Sequence, residues 1–281
     1  MPDGSGHTNR TRALESLPPL PAVALRVIQV AQDPKASASD LALVVSSDPG
    51  LSARILRIAN SAAYGRAREV TSVQEALVVL GFVQARNVAI SSAITSAYAP
   101  DSLNALFRIS EFWRHSIAVA FKASELAAQS RRLDVPTAFT AGIVHNMGRL
   151  AMFFADPAGI DQAVAHALAH DISLEEAEHE QPGYDHAELG ETLARRWNLP
   201  EEIAAAVGRH HDVELSENSL ASVVARADQY CVNHNLLPGY VVPEAAGPRT
   251  LPPDAQRLFR QVDALMDMVS GEPVGVSGLA A

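Results

Sequence analysis

The sequence holds a single cysteine, Cys231. That excludes an internal disulfide and fits a reducing compartment. Aromatic residues make up only 5% of the chain, so a core must be filled mainly by aliphatic side chains. Basic residues are scarce, with 22 Lys and Arg against 32 Asp and Glu and a net charge of -10. A nucleic-acid-binding protein needs a positive footprint to displace counterions from phosphates. Here Arg131-Arg132 and Arg195-Arg196 are isolated pairs, so no DNA or RNA partner is expected. No apolar run approaches the roughly 20 residues of a membrane helix. Met1 to Arg12 is polar and Gly-rich, with no apolar core of a signal peptide. These absences point to a cytoplasmic protein with no membrane partner. Strand-like alternation and tandem repeats are also lacking.

What is present is 281 residues that are 48% hydrophobic, supplied mostly by Ala, Leu and Val, and a regular punctuation of helix starts and stops. Ala and Leu are strong helix formers. Leu17-Pro-Pro-Leu-Pro21 is a stiff turn feeding a helix over 22–32, which Asp33-Pro34 stops. Ser37 or Ser39 caps a short helix carrying Leu41, Val44 and Val45. Asp48 stands at an N-cap, Pro49 at the first helical position and Gly65 past the end. Ser72 and Glu75 form a capping-box pattern ahead of a helix that Gly81 breaks, and another helix follows over 83–97. A long helix is expected over 105–130. Further helices are expected near 137–154, 157–170, 174–180, 186–197, 200–210 and 218–234, and an amphipathic one near 254–269. The fold class is therefore all-α. Residues 1–13 read as a flexible leader and Ala99-Pro100-Asp101 as a boundary between helical blocks 14–98 and 105–235. Residues 236–281 read as a Pro/Gly-rich loop and a terminal helix.

The histidines carry the chemistry. His115 lies mid-helix with Glu111 four residues before it on the same face. His145-Asn146 sits in a helix interrupted by Gly148, His186 opens a helix, His210-His211 closes the next, and Asp228 lies in the one after. Imidazoles and carboxylates on consecutive helices can converge in a bundle core as a metal site. The plain alternative is a buried, hydrogen-bonded polar network. Likewise Glu111 could pair with Arg108 or Arg114, Asp228 with Arg195 or Arg226, and Arg149 with a carboxylate. His166, His170, His179 and His234 read as surface residues, and Cys231 as a small core residue.

His145-Asn-Met-Gly-Arg149 resembles the His-Asp-x-Gly-Lys motif of the HD metal phosphohydrolases. Glu111, His115, His186, His210, His211 and Asp228 follow in the order of the ligand set of the HD-GYP subclass, which cleaves cyclic di-GMP. The chain departs from that pattern twice. Asn146 replaces the Asp that bridges two metals, and the stretch after His211 lacks the Gly-Tyr-Pro signature; Pro182-Gly183-Tyr184 is a different arrangement. The remaining motifs resemble the HDOD family, an HD-related output domain of bacterial signal transduction. They are Leu17-Pro-Pro-Leu-Pro21, the stretch Ser47 to Gly65, Ser72 to Gly81, Phe112-Trp-Arg-His-Ser116, and Trp197 to Ile203 leading to His210-His211.

The resemblance covers roughly residues 14–235. It implies an all-helical fold in two blocks and a regulatory output role, exerted through protein–protein contacts in a two-component pathway. The expected partners are sensor kinases, receiver proteins or cyclic-dinucleotide enzymes, and self-association is left open. It also implies a degenerate site with no catalytic residue, because a neutral amide bridges two cations poorly. Residues Glu111, His115, His145, Asn146, His186, His210, His211 and Asp228 remain candidate ligands for Fe, Zn or Mn, and Arg149 a candidate phosphate contact. The rival implications are a metal-dependent phosphohydrolase or cyclic-dinucleotide phosphodiesterase, and a nucleotide sensor without turnover.

Overall fold

The computed structural model describes residues 4–61, 64, 68–98, 106–130, 132–180, 184–212, 216, 219–240 and 251–270. Among them are fifteen α-helices, and the one β-pairing is an isolated bridge between Phe107 and Tyr240. The Ala99–Asp101 boundary, Gly65, the Pro182-Gly183 pair and most of the stretch after Asp212 fall outside the described residues.

The chain divides into two units. One comprises the described residues of Leu20–Ala99 and Pro253–Ala281. It contains α2 (Ala22–Gln32), α3 (Ala38–Ser46), α4 (Pro49–Ala59), α5 (Val73–Leu80), α6 (Phe82–Thr95) and α15 (Pro253–Ser270). Local chemistry sets its helix starts. Ser37 and Asp40 exchange hydrogen bonds in a full capping box, and the Asp48 side chain accepts from Leu51 N at 2.7 Å. Ser72 accepts from Glu75 N, while Glu75 itself pairs with Arg68 instead of closing the box. Gly81, at φ 75°, turns the chain from α5 into α6 at little steric cost. Asn60, which caps the end of α4, accepts from Val70 N at 2.7 Å and donates to Val70 O at 2.8 Å.

The structure shows two further features at the ends of the chain. The terminal helix α15 groups with this first block, burying Ala255, Leu258, Val262 and Leu265 as it packs on α4 and α6. The leader is not a loose segment: α1 (Gly4–Ser16) is helical and belongs to the other unit. There Ala13 is buried, Ser16 donates to Ala151 O, and Leu14 O accepts from Arg196. One buried alanine and a few backbone hydrogen bonds leave almost no periodic signal, which is why the sequence hides this helix.

The second unit comprises the described residues of Met1–Pro19 and Pro100–Pro252. Besides α1 it holds α7 (Ile109–Ser130), α8 (Val135–Val144), α9 (Met147–Ala155), α10 (Pro157–His170), α11 (Leu174–Glu180), α12 (His186–Arg196), α13 (Glu201–Arg209) and α14 (Leu220–Asn233). Helix α7 is buried along Phe112, Ile117, Val119 and Ala120 and packs chiefly on α8 and α14. Gly142 lets α8 approach it: a Cβ there would lie 2.6 Å from Ala120 Cα. Among the described residues no single helix is long and apolar enough to cross a membrane; only the sharply bent α5–α6 pair passes on length and composition together.

Candidate functional site

Each functional histidine owes its place to a helix end or a local carbonyl. The expected helix over 137–154 breaks at His145-Asn146, not at Gly148: α8 ends at Val144 and α9 starts at Met147. At that break His145 turns its ring back and donates Nδ1–H to Gly142 O at 2.7 Å, using a carbonyl that the ending helix leaves free. His210 caps α13 in the same way, donating to Val207 O at 2.6 Å. His115, in the middle of α7, donates to Leu236 O at 2.7 Å. That carbonyl is held over α7 by the Phe107–Tyr240 bridge and by the Arg108 N–Gly239 O bond.

His186 and His211 are oriented by α11. Asp171, in the left-handed conformation at φ 55°, ends α10. Ser173 and Glu176 then form the expected capping box, donor for donor. The short helix that follows aims two carboxylates inward. Glu178 Oε2 accepts from His186 Nδ1 at 2.5 Å, and Glu175 Oε2 lies 3.1 Å from His211 Nδ1.

The five rings therefore share one design. Four Nδ1–H groups donate outward to an oxygen, His211 Nδ1 lies beside Glu175 without a directed hydrogen bond, and every Nε2 points inward. His115 and His145 bring their Nε2 atoms to 3.3 Å, His186 and His210 to 3.3 Å, and His186 and His211 to 3.1 Å. The His145 and His210 rings are 5.1 Å apart, which joins the two groups. Asp228 Oδ1 stands 3.0 Å from His115 Nε2 and 3.8 Å from His145 Nε2. Distance alone pairs Asp228 with His115, but the oxygen receives no directed hydrogen bond. The ligand atoms of His115, His145 and Asp228 all fall within 4.8 Å of one another, as do those of His186, His210 and His211.

With Nδ1–H committed, a neutral imidazole offers only a lone pair at Nε2. Burial keeps His145 below the usual imidazole range and His186 and His210 well below it, and pushes His211 down to about 4. Burial also works against the Asp228 carboxylate, yet the adjoining His115 and His145 rings hold its pKa well below the usual value. Lone pairs and a carboxylate facing one another are held together by a positive charge between them, a shared proton or a metal ion. The outward-bonded imidazole is the arrangement that orients metal-ligating histidines, and the N/O donor set suits Zn, Fe or Mn. Two orphaned buried oxygens, Asn146 Oδ1 and Asp228 Oδ1, complete the fit. The residues present can hold a divalent metal, which would supply Lewis-acid character there.

The remaining candidates divide. Asn146 is buried and opens α9. Glu111 is half-buried on α7, and its carboxylate is not among the converging groups. Asp228 turns to the histidines rather than to an arginine. Arg149, only 2% exposed, donates Nε–H to Glu178 Oε1 at 2.6 Å, so the carboxylate reading of this residue holds. Its Nη2 also lies 2.8 Å from His186 Nδ1. That nitrogen cannot both donate to Glu178 and accept from Arg149, and the shorter, charge-assisted bond to Glu178 takes its proton. Sequence reasoning missed Glu178. The signal was there: Leu174, Ala177 and Glu178 share one helical face, and all three are buried.

Gly148 and Gly190 bring α9 and α12 into backbone contact. A Cβ at Gly148 would strike His186 O and lie 2.6 Å from Gly190 N, and one at Gly190 would lie 2.8 Å from Val207 Cγ1.

The comparisons agree with this architecture. The structure is similar to an HDOD domain protein of Geobacter sulfurreducens, with 28% identity, a TM-score of 0.69 and coverage of 94% of this chain and 89% of that one. It is also similar to a candidate phosphohydrolase of Shewanella amazonensis, with 26% identity, a TM-score of 0.64 and coverage of 94% and 92%. Over 115 residues, 41% of this chain, it is 38% identical to ribonuclease Y of Thermus thermophilus. The chain spans at most 38% of the length of these curated relatives. The HDOD domain model matches residues 17–213, and on that match, with the helical architecture beneath it, the chain belongs to the HDOD domain family.

Proposed function

We propose that this chain is a regulatory module of bacterial-type signal transduction that acts through protein–protein contacts and keeps its histidine cluster as a metal-holding scaffold without phosphodiester turnover. The observation that carries the reading is Asn146. At the junction of α8 and α9, where an HD hydrolase has a bridging carboxylate, the buried oxygen is a neutral amide. An amide neither offsets the charge of two cations nor bridges them well, so it weakens a metal-activated attack on phosphorus. Arg149 adds support, because its guanidinium is turned onto Glu178 and away from a phosphate role.

The test combines metal analysis of the purified chain with assays against cyclic di-GMP and a generic phosphodiester. Bound metal without turnover, together with capture of a sensor kinase, receiver or cyclic-dinucleotide enzyme as partner, supports the proposal. Turnover that disappears in His145→Ala overturns it and establishes a metal-dependent phosphohydrolase. That second reading is favoured by one observation, the two sets of converging ligand atoms. The candidate phosphohydrolase among the similar structures lends it the same direction. Calorimetry with a cyclic dinucleotide separates a sensor that binds without cleaving.

A further inference from the structure

Around α11 and the start of α12 lies a second group of metal-ligating side chains. Glu175 and His179 are four residues apart on this helix and so share a face. Asp185, the N-cap of α12, meets them there. Their ligand atoms all fall within 4.8 Å of one another, and His179 Nε2 is 2.8 Å from Asp185 Oδ2. The Asp185 carboxylate divides its work: Oδ1 accepts from Glu188 N at 2.7 Å as the helix cap, which leaves Oδ2 for the group. His179 is 52% exposed at its side chain, whereas Asp185 is 11% exposed. The group is thus open to solvent on one side and anchored on the other.

We propose that Glu175, His179 and Asp185 form a peripheral divalent-cation site, separate from the inner histidine cluster and joined to it through Glu175. Two carboxylate oxygens and one imidazole nitrogen suit Zn, Mn, Co or Fe, with water in the remaining positions. The neutral imidazole tautomer that carries its proton on Nδ1 presents the Nε2 lone pair to the cation. Asp185 Oδ2, the Glu175 carboxylate once deprotonated and the neutral His179 ring then supply the three donors. The connection inward is short. Glu175 Oε2 contacts His211 Nδ1, and Glu178, on the same helix, holds His186 and Arg149. A cation here ties α11 to the start of α12 and fixes the helix that orients two of the inner rings.

The proposal does not depend on the inner cluster holding a metal. The full-length chain, stripped with a chelator, is titrated with Zn(II) while bound equivalents and histidine ring ¹⁵N shifts are recorded. In the wild type the His179 Nε2 resonance shifts as metal is added. His179→Ala, at an exposed position, and Asp185→Asn, which keeps Oδ1 as the helix cap, each lose one equivalent or bind it at least about tenfold more weakly, the lower end of what loss of even an outer-shell partner costs. An unchanged isotherm in His179→Ala, or Zn(II) shifts confined to His115, His145, His186, His210 and His211, overturns it. Absence of metal from the inner cluster alone appears instead as a wild-type isotherm whose only equivalent disappears in His179→Ala.

Discussion

In the first helical block Asn60 gives both ends of its amide to Val70. In the second, Asn146 is 2% exposed and its Oδ1 has no partner. The same contrast extends across the two blocks. In the first block the side chains of Asp48, Ser72 and Ser37 are taken up by backbone N–H groups. Around Asn146, imidazole nitrogens and a carboxylate are turned on one another. Unsatisfied buried polar groups cost free energy, and beside these facing rings Asn146 Oδ1 and Asp228 Oδ1 both go without a hydrogen-bond partner, which suits a positively charged ligand. Polar residues thus cap helix ends in one block and gather ligand atoms in the other.

Acid should break that contrast most strongly. In the metal-free protein His145, His186, His210 and His211 all have folded pKa values below the ordinary 6.5, His211 at about 4. The unfolded chain takes up protons near 6.5 that the folded one refuses, so stability is full above that pH and falls as pH drops from about 6.5 toward 4. Several rings contribute together, so the loss should exceed that of any single substitution. Urea melts across this range check it, and bound Zn(II) should hold the stability up until the histidines release it.

Glu178→Gln comes next. It leaves the buried Arg149 without its carboxylate and should cost about 3–5 kcal/mol, read by urea denaturation, with loss of metal affinity if His186 depends on that support. Asn146→Asp is expected to destabilise the metal-free chain by about 1–3 kcal/mol, the cost of a polar group buried without its partner. The same variant should bind divalent metal more tightly than the wild type, as measured by dialysis and elemental analysis. The smallest loss is expected for Asn60→Ala, about 1–2 kcal/mol for two hydrogen bonds, with metal binding unchanged. A change in metal binding there would erase the distinction between the two amides.

Short-range chemistry made most of this legible in advance. Ser37, Asp48, Ser72, Gly81 and the Ser173–Glu176 pair mark their helix boundaries because a cap is a contact between near neighbours in sequence. The histidines and Asp228 that the structure brings together also stand out by residue type and order. Three features do not. The break at His145 lies inside a continuously buried stretch, 137–153, where periodicity cannot distinguish one helix from two. Glu178 stands in a helix of mostly charged residues, and only its alignment with Leu174 and Ala177 betrays burial. The return of α15 to the first block is a pairing between distant segments, which no local pattern encodes. Glu111 shares a face with His115 and stands in the order of the resembled ligand set, but order and spacing on one helix say nothing of whether the other candidates reach that turn.

The glycine contact between α9 and α12 has a mechanical consequence. Where side chains separate two helices, rotamer changes can absorb a small slide of one past the other. At Gly148 and Gly190 backbone meets backbone, so no such cushion exists. Helix α9 begins beside His145 and carries Arg149, and α12 begins with His186. A shift of either must drive the other like meshed teeth, so a small displacement on one side of the histidine cluster is transmitted to the opposite side without slack.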